Sequence, residues 1–262
     1  MSNSTTKLAN KNILIIGGTS GIGFAVAVAS LEHGAKVTIA SSSPKKLESS
    51  LSRLKTSHQS LSHNLSGTTI NLSAADVEDQ ILAAYSFATN NGENKLDHVV
   101  NTAGDSFSLP KLEDVTAEGA ASVVTVRYIG NLLLAKHLSK FINISPESSF
   151  TTTSGANAAK PGDGWSSIIG VATAVEGLTR GLAKDLKPVR VNCVSPGAIR
   201  TELFDSFGSE EVVNAMVEKY SKASLTGRIG RPEDAAESYL YVMKCAFVTG
   251  RTLQVDGGYL LV

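Results

Sequence analysis

The sequence predicts an α/β protein, a single doubly wound parallel sheet with helices on both faces. Short apolar runs rich in β-branched residues alternate with longer helical patterns, the signature of repeated βα units. A chain of 262 residues with a 42% hydrophobic fraction is long enough to bury one large core. A glycine-rich turn, Gly17-Gly18-Thr19-Ser20-Gly21-Ile22-Gly23, follows the first apolar run directly and opens the first helical pattern.

In order along the chain, the expected strands cover 13–16, 36–40, 68–72, 98–101, 149–153, 190–194 and 252–255. Between them the helical patterns at 23–33, 117–141 and 166–186 stand out. The second is long and mostly apolar, the third stops before Pro188, and both are expected to be largely buried. The Ser-, His- and Asn-rich stretch 56–67 reads as a surface loop with His58 and His63 solvated. Residues 1–10 are polar and expected to form a disordered tail, leaving one domain over 11–262.

Composition limits what the chain does. Lys and Arg number 24 against 24 Asp and Glu with no basic block, which argues against nucleic acid or an anionic membrane as partner and for a small molecule. Cys193 and Cys245 have no metal-ligand spacing and sit in apolar stretches, so buried free thiols, no metal site and a reducing compartment are expected. No apolar run approaches the ~20 residues that span a bilayer. The expectation is a soluble, cytoplasmic protein.

A glycine-rich turn between strand and helix lets backbone approach a pyrophosphate, whose charge the free amides and positive end of the helix stabilise. Alone it is weak, but three further motifs follow: Asn101-Thr102-Ala103-Gly104 after the fourth strand, Val191-Asn192-Cys193-Val194-Ser195-Pro196-Gly197 at the sixth, and Val255-Asp256-Gly257-Gly258 near the end. With these four motifs in order, the chain resembles the short-chain dehydrogenase/reductase family (a Rossmann fold) over nearly its whole length. The resemblance implies that Gly17, Thr19, Ser20 and Ile22 line the cofactor phosphates and that Asn71 and Leu72 flank the adenine. It also implies that Asn101, Ala103 and Gly104 lie along the ribose, and that Pro196, Gly197, Ile199 and Thr201 meet the nicotinamide side. At the end of the second strand an acidic residue would favour NAD, but here Ala40-Ser41-Ser42-Ser43-Pro44-Lys45-Lys46 offers hydroxyls and cations. Ser41, Ser42, Ser43 and Lys45 suit a 2′-phosphate, so NADP(H) is expected; the alternative is a polar loop that caps the next helix.

Most members of that family reduce a carbonyl with a serine, a tyrosine and a lysine. Matching Gly177-Leu178-Thr179-Arg180-Gly181-Leu182 to the family helix puts Ile168 at the tyrosine and Ala172 at the lysine. No tyrosine lies in 150–186, and the only lysines there are Lys160 and Lys184. Ser154 matches the serine, or else is a hydroxyl that satisfies backbone at a strand end. Where the family usually carries Asn three residues before a glycine, the chain reads Arg127-Tyr128-Ile129-Gly130. An arginine among apolar neighbours must find a partner or water, so Arg127 is expected to point into the cleft, suited to positioning and electrostatic stabilisation. Asp105, just after the Asn-Thr-Ala-Gly motif, and Asp163, in Pro161-Gly162-Asp163-Gly164-Trp165, are acidic candidates, or else turn and cap residues. Trp165 is either a packing aromatic or a wall for a flat substrate, as are Phe107, Phe204 and Phe207.

Reducing a neutral ketone creates an alkoxide that needs a proton; reducing an iminium ion neutralises a charge already present. Arg127 with an Asp/Gly/Trp loop in place of the Tyr-Lys pair resembles the atypical fungal short-chain reductases of prenylated indole alkaloid biosynthesis. That resemblance implies NADPH-dependent reduction of a cyclic, dipeptide-derived iminium and guidance of an intramolecular Diels-Alder closure. In that group the loop reads Pro-Asp-Pro-Gly-Trp, so the aspartate here is displaced by one position. Two other readings stand beside it: a carbonyl or enoyl reductase using a different acid, and a non-catalytic NADPH-binding sensor. The resemblance further implies a substrate lid at about 203–226 and a homodimer or homotetramer paired through 117–141 and 166–186.

Overall fold

The computed structural model describes residues 6–104 and 109–262. Seven strands, β1 (Asn12–Ile16), β2 (Lys36–Ser41), β3 (Leu65–Thr69), β4 (His98–Asn101), β5 (Ser149–Thr153), β6 (Arg190–Pro196) and β7 (Thr252–Val255), form one sheet in the order β3-β2-β1-β4-β5-β6-β7. Every pairing is parallel. The helices are α1 (Gly21–Glu32), α2 (Pro44–Ser57), α3 (Val77–Ala88), α4 (Ala117–Ser122), α5 (Gly130–Leu138), α6 (Ser166–Asp185), α7 (Glu210–Lys222) and α8 (Pro232–Lys244). The core lies in two layers because successive strand side chains point to opposite faces. Ile13 and Ile15 join α1 and α8 residues such as Val26 and Tyr239, whereas Leu14 and Ile16 join Tyr85, Leu134 and Phe150 on the other face. Each such aliphatic side chain contributes about 1.5–3 kcal/mol by burial. Strand order reverses at β1, between β2 and β4, which makes the carboxyl ends of β1 and β4 the place where such sheets bind ligands.

Several sequence expectations need correction. The third strand lies at Leu65–Thr69, not 68–72: Gly67 pairs with Ile39, and a Cβ there would lie 2.9 Å from the Cδ1 atoms of Leu47 and Leu51 of α2, so a side chain fits only if those leucines shift. The supposed loop at 56–67 is the end of α2, a 3-10 turn (Gln59–Asn64) and the start of β3, with His58 bonded to Ser57 and paired to Glu32. Within the tail, Leu8 is fully buried and Asn10 N–H donates to Gly34, so the ordered chain includes 6–10. Cys193 is buried, but Cys245 is only partly so.

The expected helix at 117–141 is broken. Its first part, α4, is exposed throughout. A π-turn (Thr125–Ile129) then precedes α5, with Gly130 N–H donating to the carbonyl of Thr125, five residues back. Such a turn inserts one residue into a helix and re-aims the side chains on it. Among the described residues, no helix is long and apolar enough to cross a membrane.

Candidate active site

The β1–α1 turn is cut to fit backbone. Gly17 has φ +80°, and a Cβ there would lie 2.7 Å from Ala103 N; at Gly23 it would lie 2.3 Å from Gly17 O. These glycines press the turn against the Asn-Thr-Ala-Gly segment, where Thr102 donates to Ile16 O. Helix α1 starts without a side-chain cap on Ser20 and without acidic residues in its first turn, so its amides and positive end suit a phosphate group. This cradle fits a dinucleotide pyrophosphate. Thr19 donates to Ser41 (3.2 Å), committing the buried Ser41 to the turn, and Ser43 caps α2 by accepting from Lys46 N–H. Ser42 and Lys45 are exposed. Asn71 and Leu72 follow β3; Asn71 accepts from Ser73, and Leu72 is buried beneath Gly130.

Asn101, at the end of β4, is buried and fully engaged: its amide donates to Asn131 Oδ1 (2.9 Å), its Oδ1 accepts from Ala103 N–H, and its carbonyl accepts from Thr153. Asn131 in turn donates to the carbonyl of Arg127. This relay ties the π-turn to the end of β4. It aims Arg127 across the fourth motif residue: a Cβ on Gly104 would lie 2.1 Å from Nη2 and 2.3 Å from Cζ. Arg127 therefore lies beside Gly104 at the carboxyl end of β4, and the π-turn carrying it packs against α6. Tyr239, which bonds Thr153 (2.7 Å), is buried, and that burial pushes its phenol above the usual range, against a smaller lowering by Thr153 and Arg127.

On α6, Ile168 is buried and Ala172 follows one turn later, so the two family positions lie on one face with neither phenol nor amine. Lys160 does not replace the missing amine: it bonds the carbonyls of Tyr259 (3.1 Å) and Val262. Lys184 is exposed at the far end of the helix. Ser154 donates toward Ala172 O (3.0 Å) and Glu176 Oε1 (3.1 Å). Asp163 is exposed on the turn before α6, and Trp165 is partly buried with its ring edge near Gly162. Asp105 and Phe107 lie outside the described residues.

Beyond β6, Gly197 approaches Asp256, where a Cβ would lie 2.7 Å from its Cα, and Ile199 is buried against Gly230. Thr201 touches Gly21 and Glu202 accepts from Gly21 N–H (2.9 Å), bringing the start of the lid to the N-terminus of α1. The expected lid holds a 3-10 turn (Phe204–Phe207) and α7; Phe204 is buried against Phe207 and Tyr220. Sequence reasoning missed Asn131, Glu176 and Glu202. Helical spacing could have found Glu176, which follows Ile168 and Ala172 at i+8 and i+4. Asn131 and Glu202 act through backbone that only the fold reveals. No cluster of potential metal ligands occurs among the described residues.

The family model for an SDR-like Rossmann domain matches residues 4–262. The chain is 43% identical to the short-chain dehydrogenase/reductase ucsE of an Acremonium species, over 97% of each chain. It is also 43% identical to malC of Malbranchea aurantiaca, over 97% of this chain and 96% of that one. The structure of the MalC reductase/Diels-Alderase superposes with a TM-score of 0.93 at 42% identity, covering 99% of this chain and all of that one. With the glycine turn, the Asn-Thr-Ala-Gly segment and the seven-stranded parallel sheet all in place, this chain is an oxidoreductase that belongs to the short-chain dehydrogenase/reductase family.

Proposed function

We propose that the protein uses NADPH to reduce a cyclic iminium derived from a prenylated indole dipeptide, and that the same cleft guides an intramolecular [4+2] closure. One observation carries the reading: Ile168 and Ala172 stand where the family keeps its proton-donating pair, while the guanidinium of Arg127 lies against Gly104. The likeness to a reductase/Diels-Alderase supports it. When bound, the reduced nicotinamide supplies a hydride. A cationic C=N carbon that accepts a hydride becomes a neutral amine, so the acid missing from α6 is not required.

The chain's own residues then have three tasks. The turn 17–23 and Ala103 cradle the pyrophosphate, while exposed Ser42 and Lys45 favour a 2′-phosphate in the absence of an acid at the end of β2. Arg127 grips an amide carbonyl of the substrate or orients a carboxylate, Asp163 or Asp105, against the substrate cation. Trp165, Ile168 and Ala172 provide apolar walls. After reduction, cycloaddition needs chiefly a shape that holds alkene over azadiene. The partly exposed Ile129 and Leu132 on the π-turn and α5 suit pairing with a second copy.

The test is incubation with NADPH and a panel of cyclic iminium compounds, ketones and enones, followed by absorbance and product analysis. Turnover of the iminium compounds, with at least a tenfold loss in Arg127→Ala, is expected. Turnover of ordinary ketones that Arg127→Ala and Asp163→Ala leave unchanged would refute the reading.

A further inference from the structure

Ser154 stands partly exposed at the carboxyl end of β5, where a serine that assists carbonyl reduction would donate its proton to the substrate oxygen. A hydroxyl has one proton to donate and two lone pairs that accept. Here that proton faces two acceptors behind it, the Ala172 carbonyl at 3.0 Å and the Glu176 carboxylate at 3.1 Å. Only lone pairs remain to be offered to the cleft. Around Glu176 lie hydroxyls and a thiol: Thr152 and Thr179 bond each other (2.9 Å), and burial, with a smaller effect of Glu176, pushes the Cys193 thiol up to about 12. Among the described residues, no cation pairs with Glu176.

We propose that Glu176 is a positioning residue that turns Ser154 into a hydrogen-bond acceptor toward the cleft, so that the site selects a substrate cation or N–H donor over a neutral carbonyl. The inference rests on the iminium reading of the same cleft and names the groups that enforce it. Loss of the lysine matters here as well. Ala172 leaves its space to the Glu176–Ser154 contact, and an ammonium at that position would cancel the carboxylate that makes the contact selective.

The experiment uses the NADPH complex of Glu176→Gln, Ser154→Ala and the double variant. Binding of a saturated cyclic ammonium compound and of its neutral carbocyclic isostere is followed by fluorescence of Trp165, the single tryptophan, and turnover is followed with a cyclic iminium salt. Each single variant is expected to weaken ammonium binding and iminium kcat/KM about tenfold, leaving NADPH and the isostere within about twofold. The double variant should lose no more than the worse single variant, because both act through one contact. Equal losses for charged and neutral compounds, additive losses, or no loss would overturn the inference. Wild-type protein that binds the ammonium selectively but never reduces the iminium would refute the catalytic reading and leave the Glu176 assignment standing.

Discussion

Substituting Gly104 by alanine perturbs Arg127 without removing it. A Cβ at Gly104 would lie 2.1 Å from Nη2, 2.3 Å from Cζ and 2.8 Å from Nη1 of Arg127. Ordinary contact needs about 3.5 Å, so the guanidinium must retreat by roughly 1.4 Å. The proposed hydrogen bond from Arg127 to substrate, charged and so worth about 1.5–3 kcal/mol, would then be lost, which corresponds to roughly 10- to 150-fold in kcat/KM. Gly104 is exposed and lies outside the left-handed region, so the alanine itself fits the backbone. The assay is steady-state reduction of a cyclic iminium by Gly104→Ala, with NADPH affinity and thermal unfolding measured alongside. The expected outcome is a loss of kcat/KM similar to that of Arg127→Ala and larger than any loss of NADPH affinity, with melting temperature nearly unchanged. Full activity in Gly104→Ala, or a loss wholly explained by weaker NADPH binding, would refute the assigned role of Arg127.

Three other outcomes are expected. Glu202 holds an anion against Gly21 N–H at the end of α1 that a pyrophosphate would use, so Glu202→Gln should tighten NADP binding about two- to fivefold by calorimetry; weaker binding would contradict this. Leu132→Glu places a charge on the exposed apolar face of α5 and should shift the protein toward monomer in light scattering, whereas an unchanged mass would remove that face from the interface. His98 is buried in β4, and burial holds it down to about 3 from its ordinary value near 6.5. The unfolded chain therefore binds the proton first, and stability should fall as pH drops from about 6.5 toward 3, by at most about 5 kcal/mol. His98→Asn should flatten that part of the pH–stability curve measured by denaturant unfolding.

The fold was legible because most strands are short apolar runs set between longer helical patterns. Ile13 to Ile16 alternate between the two core layers, and the glycine turn that follows is joined by three further motifs in order along the chain. The third strand was misplaced because Gly67 has no apolar side chain to mark it as strand, and its neighbours Leu47 and Leu51 lie on the preceding helix, where only the fold brings them against it. The break at Thr125–Ile129 was invisible for a similar reason: the apolar run continues through it, and only the amides of Asn131 and Asn101 reveal how the chain is re-aimed. The loss of tyrosine and lysine was plain from Ile168 and Ala172. The serine–glutamate contact beside them was not, since Ser154 and Glu176 are 22 residues apart and meet only when α6 docks on β5.

In the proposed reaction hydride reaches a carbon already bearing positive charge, so no proton moves with it. A single-turnover measurement of NADPH oxidation with a cyclic iminium in H2O and D2O tests this directly. Equal rates in the two solvents are expected, unchanged by Asp163→Asn except through binding. A rate that falls clearly in D2O, and at saturating substrate falls again when Asp163 is replaced, would show a proton donor in the rate-determining step and contradict this.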